Sequence, residues 1–162
     1  MIELHKAKIE DIPEIKKLLH ETWTTTYSDI YSPEAIELVT TEWHSSELLT
    51  NQINDPDAFF GVAKDKNKIV AICNASLVHE GTTINIQRLH VLPGYQRQGI
   101  GSQLTKEAIK AFPKATRVEL EVEKQNHRAH AFYEKHGFND AGEKTFVVNN
   151  IRIECLVMEK TL

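Results

Sequence analysis

The sequence predicts an α/β protein built on one mixed sheet with helices on both faces. Three observations predict this class: apolar residues at helical spacing in the first fifty residues, a strand hairpin in the middle, and a final strand–helix–strand–helix–strand order. The chain has 162 residues, of which 41% are hydrophobic and 26% charged. This balance is typical of a globular chain, and the length predicts a single domain, residues 1–162.

Charge and hydropathy narrow the class of protein and its compartment. The net charge of -4 and a pI of about 6.1 argue against a nucleic-acid partner, because such domains usually carry a basic surplus. The first residues lack a secretory signal, and no apolar run approaches the roughly 20 residues that span a bilayer. We therefore expect a cytoplasmic protein with no membrane partner, in which Cys73 and Cys155 are reduced, buried thiols.

The first third of the chain predicts one strand and three helices. Residues 2–7 alternate as a strand, and Asp11 with Glu14 has the spacing of a capping box at the start of the first helix. Ser32 before Pro33 predicts the start of a second helix. A third helix is expected over residues 45–53. The polar, aromatic run between the first two helices is poor in helix formers and predicts a connecting segment.

The rest of the chain alternates strands and helices. Val118, Leu120 and Val122 repeat at the period of a half-buried strand, while Pro113 and Gly137 end two helical segments. The predicted strands are residues 59–63, 69–78, 83–91, 117–123, 146–148 and 151–158, and the predicted helices are residues 99–112 and 126–136.

The strand over residues 83–91 changes its alternation partway along. Apolar residues occupy even positions at Ile84 and Ile86 and odd positions at Leu89 and Val91. A β-bulge near residues 87–88 produces such a change of parity. The alternative is that the strand ends early, with residue 88 facing solvent.

The turn after this strand has the composition of an anion site. Gly99 and Gly101 mark the start of a helix, whose free N–H groups attract a negative charge, and Arg97 adds a fixed positive charge beside them. Neither a Walker loop nor a dinucleotide-binding glycine pattern is present. The residues favour a pyrophosphate ligand, with an ordinary strand-to-helix turn as the alternative.

Two motifs carry a resemblance to a known family. The string Gln96-Arg97-Gln98-Gly99-Ile100-Gly101 resembles the acyl-CoA signature of the GCN5-related N-acetyltransferases (GNAT). The string Asn126-x-x-Ala129-x-x-Phe132-Tyr133-x-x-x-Gly137-Phe138 resembles the family's second motif, in the same order and at the same distance.

The resemblance implies a fold and a reaction. It implies a mostly antiparallel central sheet of about six or seven strands with about four helices. It also implies transfer of an acetyl group from acetyl-CoA to a primary amine, without a metal, and it leaves a homodimer open. We interpret His127, His130 and His136 as a solvated helix face. The cofactor-binding residues that the resemblance implies are Leu89, His90, Val91, Gln96, Arg97, Gln98, Gly99, Ile100, Gly101, Ser102, Asn126, Ala129, Phe132 and Tyr133.

The catalytic residues follow partly from the resemblance. Tyr133 occupies the family's general-acid position, from which it would protonate the leaving thiolate. Many members place a glutamate base where this chain has Gln87, which cannot accept a proton. Because imidazole titrates near neutral pH, we predict His90 as the base, with Glu119 and Glu121 as alternatives.

The acceptor amine is not specified by the motifs. Trp23, Tyr27, Asp29 and Tyr31, with Gln87, are predicted to bind it, because aromatic faces and a carboxylate suit a cationic amine. The aromatic run could equally be a loop that caps the core. A polyamine, an antibiotic amine, an amino acid and a protein amine all stay open, as do a catalytically weak acyl-CoA sensor and a nucleotide-binding α/β protein.

Overall fold

A computed structural model describes residues 1–162, and its central feature is a seven-stranded sheet. The strand order is β1-β2-β3-β4-β5-β7-β6, and every neighbouring pair is antiparallel except β4 and β5. The predicted class, a mixed and mostly antiparallel sheet, is confirmed. The strands are β1 (Ile2–Lys6), β2 (Ala58–Asp65), β3 (Lys68–Val78), β4 (Thr83–Val91), β5 (Arg117–Glu123), β6 (Asn139–Val148) and β7 (Ile151–Thr161).

Five α-helices pack on the sheet, where about four were expected from the resemblance. They are α1 (Ile12–Tyr27), α2 (Pro33–Trp43), α3 (Ser46–Asn54), α4 (Ile100–Lys110) and α5 (His127–Lys135). None of them combines the length and the apolar composition needed to cross a membrane.

Two apolar clusters hold these layers together. The larger one contains 28 buried residues and centres on β3, with Ile15 and Leu19 of α1 and Leu104 of α4 among its fully buried side chains. The smaller one joins α1 and α2 to the hairpin formed by β6 and β7. It consists of Trp23, Ile36, Val39, Val148, Ile153 and Cys155.

The start of α1 corrects one prediction. Asp11 and Glu14 do not form a capping box: Glu14 binds a distant partner, and Asp11 shares its carboxylate between the Lys8 N–H at 2.9 Å and a distant lysine. Asp11 pairs with the Lys64 ammonium at 2.9 Å, and Glu14 accepts a 2.8 Å hydrogen bond from the Ile69 N–H. These residues therefore tie α1 to the β2–β3 hairpin. The predicted cap of α2 is confirmed: the Ser32 hydroxyl accepts the N–H of residue 35.

The aromatic run corrects a second prediction. We expected a connecting segment from residue 23 onward, but α1 continues to Tyr27. Trp23 is buried in the smaller cluster, and its ring lies 4.5 Å from that of Tyr27 and 5.8 Å from that of Trp43. This packing outweighs the weak helix propensity of the three threonines between Trp23 and Tyr27.

Candidate active site

The site begins where β4 and β5 separate. These parallel strands pair at only three positions, ending with Asn85 opposite Glu119. Beyond that point they diverge and leave a cavity of about 1030 Å³ between them. Side chains from α1, β4, β5, α4 and α5 line it, as does the turn before α4. Every predicted cofactor-binding residue except Gln98 lies on its wall.

The predicted bulge is confirmed at Gln87. Ile86 pairs with Ala75 and Arg88 pairs with Asn74, so Gln87 has no opposing residue on β3. Its exposed side chain donates a 3.0 Å hydrogen bond to the Ser76 hydroxyl at the edge of the cavity.

The bulge decides which backbone groups face the cavity. The Leu92 N–H binds the Val70 carbonyl on β3, so the alternation of an antiparallel ladder directs the backbone of His90 to β3 as well. The backbone groups of Leu89 and Val91 then point toward the gap beside β5. His90, predicted with these two to bind the cofactor, therefore contributes only its side chain to the cavity.

The turn before α4 has the geometry expected of an anion site. Gly99 caps the helix with φ of +80°, a conformation that favours glycine, and Arg97 is also left-handed with φ of +63°. Arg97 is exposed and forms no ion pair within the chain. The first N–H groups of α4 therefore open onto the cavity beside an unpaired cation.

Two groups at this end were not predicted. Arg128 on α5 donates a 2.7 Å hydrogen bond to the Gln96 side chain, whose amide in turn donates to the Val91 carbonyl at 3.0 Å. The Ser102 hydroxyl lies 2.7 Å from His136 Nε2, while His136 Nδ1 donates to a backbone carbonyl. Only the folded chain brings α5 against α4, so sequence spacing carries no signal for these contacts.

Tyr133 lies on the cavity wall with 8% of its surface exposed. Its ring packs edge-to-face against Phe132 and Phe138, at centroid distances of 5.2 and 5.4 Å. Burial raises the pKa of the phenol, so the hydroxyl keeps its proton at neutral pH. A phenol that stays protonated can donate its proton to an anion that forms beside it.

Asn126 is held by two contacts within the chain. Its side-chain oxygen caps α5 by accepting the Ala129 N–H at 3.2 Å, and its side-chain nitrogen donates to the Tyr27 hydroxyl at 3.3 Å. Asn126 thus links the start of α5 to the end of α1, and one amide hydrogen is left for a ligand.

Arg88 does not face solvent, which excludes that alternative for the bulge. It is 6% exposed, and its guanidinium crosses to the α2–α3 junction. There it donates to Gln52, to His44 Nδ1 and to the Trp43 carbonyl at 3.0, 2.5 and 2.6 Å. A buried cation therefore fixes the bulged strand to the helices on the α1 side.

The charge of Arg88 and burial together set the state of His90. Burial first and Arg88 second lower the pKa of His90 to about 3, so the ring is neutral at pH 7. Its Nδ1 lies 3.2 Å from the Thr22 hydroxyl, which itself donates to the Leu19 carbonyl. The hydroxyl must then accept from His90 Nδ1, which leaves Nε2 as the nitrogen with the lone pair.

The predicted acceptor residues separate into two groups. Trp23 and Tyr27 line the cavity, as does Gln87, whereas Tyr31 stands behind Tyr27 with ring centroids 5.9 Å apart. Asp29 is exposed in the turn after α1 and does not reach the cavity wall.

The carboxylates on the cavity wall are Glu121 and Glu123 of β5. Glu121 was one of the alternative bases, and its carboxylate lies 3.4 Å from the Lys144 ammonium. Glu119, the other alternative, instead pairs with His79 at 3.2 Å, outside the cavity. Glu123 was not predicted, because its spacing is the same as that of the other two glutamates and only its surroundings differ.

The three histidines of the α5 region do not assemble a metal site. His127 is exposed, His130 pairs with Asp140 at 2.8 Å, and His136 binds Ser102. No group of three or more histidine, cysteine, aspartate or glutamate side chains has metal-binding geometry.

Comparisons with known proteins agree with this geometry. The model of the acetyltransferase (GNAT) family matches residues 12–138. A spermidine N(1)-acetyltransferase from Thermoplasma acidophilum is 32% identical over 143 residues, which cover 85% of this chain and 88% of that protein. The crystal structure of the PaiA N-acetyltransferase from Thermoplasma acidophilum in complex with coenzyme A is similar with a TM-score of 0.88. It is 28% identical and covers 100% of this chain and 99% of that one.

The fold is also shared with more distant structures. The ribosomal-protein-S18-alanine N-acetyltransferase from Escherichia coli has a TM-score of 0.72 at 19% identity, over 99% of this chain and 94% of that one. Similarity at this level concerns the fold alone. Since that neighbour is named for a protein alanine as its acceptor, the architecture by itself does not identify an acceptor.

Proposed function

Because the chain belongs to the GNAT acetyltransferase family and transfers the acetyl group of acetyl-CoA to an amine, we propose that its acceptor is a small polyamine of the spermidine class. One observation carries the proposal: the acceptor side of the cavity combines two carboxylates, Glu121 and Glu123, with the rings of Trp23 and Tyr27. Such a surface suits an organic polycation. The relative named as a spermidine N(1)-acetyltransferase supports the same class.

The residues present fit coenzyme A. Gly99, the first N–H groups of α4 and Arg97 suit the pyrophosphate, with Arg128 as a second cation nearby. The open backbone edge of Leu89 suits an extended, amide-containing arm. Acetyl-CoA supplies an acetyl thioester that is activated toward attack by an amine.

We assign the thiolate's proton to Tyr133. Its hydroxyl lies on the cavity wall, makes no hydrogen bond within the protein and stays protonated at neutral pH. On the opposite side of the cavity, the bulge at Gln87 interrupts the hydrogen bonds between β3 and β4. A backbone N–H group that is left without a partner there can stabilise the negative charge that develops on the thioester carbonyl oxygen.

The amine must lose a proton before it attacks. Burial and the charge of Arg88 lower the pKa of His90 to about 3, so a second positive charge on this ring, beside the buried guanidinium, is disfavoured. We therefore keep His90 in the proposal as a hydrogen-bond acceptor through Nε2, and assign proton removal to the Glu121 carboxylate on the cavity wall.

A thiol-release assay tests the function and the acid together. We expect spermidine to release CoA faster than an aminoglycoside, an amino acid or an N-terminal peptide. Tyr133→Phe should lower kcat by about 100-fold, as expected for the loss of a general acid. The matched control is Tyr95→Phe, because the Tyr95 hydroxyl already donates its proton in a 3.0 Å hydrogen bond to Asp65.

The outcomes separate the alternatives. Turnover of the peptide with no turnover of spermidine would overturn the polyamine class. Binding of acetyl-CoA without turnover of any amine would instead favour the sensor, in agreement with a glutamine at position 87, where many family members have a glutamate base. Equal losses in Tyr133→Phe and Tyr95→Phe would contradict the role of Tyr133.

Three broader expectations belong to the same proposal. We take residues 1–162 as one N-acetyltransferase domain, supported by a sheet that includes strands from both ends of the chain. A cytoplasmic location is supported by two free, buried thiols, Cys73 and Cys155. Homodimer formation stays a prediction, which size-exclusion chromatography with light scattering would test.

A further inference from the structure

The Glu123 carboxylate is buried without a cationic partner. Its residue is 6% exposed, and one carboxylate oxygen accepts the Gln125 N–H at 3.0 Å. The other two glutamates on the same face of β5 each have a basic partner, His79 for Glu119 and Lys144 for Glu121. Glu123 forms no ion pair at all.

A buried, unpaired carboxylate is costly, since burial favours its neutral form. Burial accordingly raises the pKa of Glu123, and the neighbouring Glu154 raises it further, while the Gln125 N–H, the Tyr31 hydroxyl and His127 act in the opposite direction. A cation that entered the cavity would compensate this cost, and Glu123 lies on the cavity wall where such a cation can reach it.

Aromatic side chains complete the surroundings of this carboxylate. Tyr27 lines the same cavity as Glu123 and Tyr133, and the charge of Glu123 adds to burial in raising the pKa of the Tyr27 phenol. The Trp23 ring stands 4.5 Å from that of Tyr27 and extends the same wall. Aromatic faces beside a carboxylate favour an ammonium group over a neutral one.

We propose that Glu123 binds the second ammonium of a diamine-type acceptor while the amine to be acetylated lies at Tyr133. The inference rests on the proposed function and adds a residue that determines specificity. One nitrogen of the acceptor must lose its charge to react, whereas the nitrogen at Glu123 keeps its charge and anchors the molecule. A matched monoamine lacks that anchor.

The test compares diamines with a monoamine. For spermidine and 1,4-diaminobutane, Glu123→Gln should raise KM about tenfold or more, as the loss of a charge-assisted contact predicts. For butylamine, KM and kcat should change less than about twofold. The control is Glu154→Gln, which removes a nearby but exposed negative charge on β7 and should leave both substrates unaffected.

A binding measurement separates this inference from the proposed function. Calorimetric titration of spermidine into the CoA-bound protein should show affinity in the wild type and a loss of about tenfold in Glu123→Gln. If that loss appears while no amine releases CoA, the proposed function fails and the subsite stands. Equal effects on butylamine and diamines, or unchanged spermidine affinity, would overturn the subsite. A fall in kcat for every amine would also overturn it, because Glu123 would then act in the chemistry.

Discussion

Acidification from pH 7 to pH 5 is expected to lower the free energy of unfolding by about 4 kcal/mol through two histidines alone. Burial and then the charge of Arg88 lower the pKa of His44 to about 2 and that of His90 to about 3. Both rings therefore stay neutral in the folded protein over this range, whereas the unfolded chain binds protons below about pH 6.5. Below about pH 6.5, each histidine lowers the free energy of unfolding by about 1.36 kcal/mol per pH unit, which amounts to about 2 kcal/mol at pH 5.

The sign follows from the direction of the two shifts. Because the folded pKa of each histidine lies below its unfolded value, the stabilising contribution is present above about pH 6.5 and is lost as the pH falls. The loss is large beside the 5–15 kcal/mol that typically separates folded from unfolded domains. The protein should therefore approach its unfolding transition in mild acid, well above the pH that protonates ordinary carboxylates.

Urea unfolding followed by circular dichroism at pH 7, 6 and 5 measures this dependence. In His44→Asn, the new side-chain oxygen can still accept from Arg88, and the pH-dependent loss should fall by about half, to about 2 kcal/mol. His20→Gln, at an exposed histidine on α1, is the control and should resemble the wild type. Each protein is compared with its own value at pH 7, which removes the fixed cost of the substitution. The same slope in His44→Asn and in the wild type would refute the reasoning.

Three substitutions at the start of α4 test the anion site by other measurements. Gly99→Ala should lower thermal stability by about 1–2 kcal/mol, since φ is +80° there and no neighbouring atom obstructs the new methyl group. Gly101→Ala should raise stability by about 0.5–1 kcal/mol, because its methyl group meets Phe132 and Val91 at ordinary distances of 3.5 and 3.7 Å, yet it should raise the KM for acetyl-CoA. Arg97→Gln should raise that KM about tenfold and flatten its dependence on salt, with unchanged stability. An unaltered KM in the last two variants would place the pyrophosphate elsewhere.

The parts of the site that are local in sequence could be predicted from it. The bulge at Gln87 changes the parity of apolar residues within one strand, and the anion turn is contiguous with the start of one helix. In both places the physical cause lies within about ten residues, so a single sequence carries the whole signal.

The two predictions that were wrong concern contacts with residues that are far away in the sequence. Asp11 and Glu14 have capping-box spacing, but Lys64 and the Ile69 N–H, more than fifty residues away, take both carboxylates. The helix α1 continues to Tyr27 because residues of α2 and β7 pack against its aromatic side chains. Local propensity gives no indication of either partner.

Buried charge was the hardest property to predict. Arg88 and Glu123 sit in strands where a charged residue ordinarily faces solvent, so composition and alternation favour exposure. Arg88 is buried because His44 and the α2–α3 junction fold over it, and Glu123 because β7 and Tyr31, in the segment after α1, lie against the end of β5. Each is recognisable only after distant elements are in place.

The bulge also explains how one strand serves two substrates. Beyond Gln87, the side chains of Leu89 and Val91 return to the face that carried Ile84 and Ile86, and Val91 there packs beside Gly101 of α4. His90 is turned to the opposite face, where its ring meets Thr22 of α1. If Gln87 instead occupied a regular position in the ladder, the side chains of Leu89 and Val91 would face α1 and the imidazole would face α4. Under the proposed function, a single unpaired residue therefore leaves the α4 side apolar for the acyl-CoA and the α1 side polar for the amine.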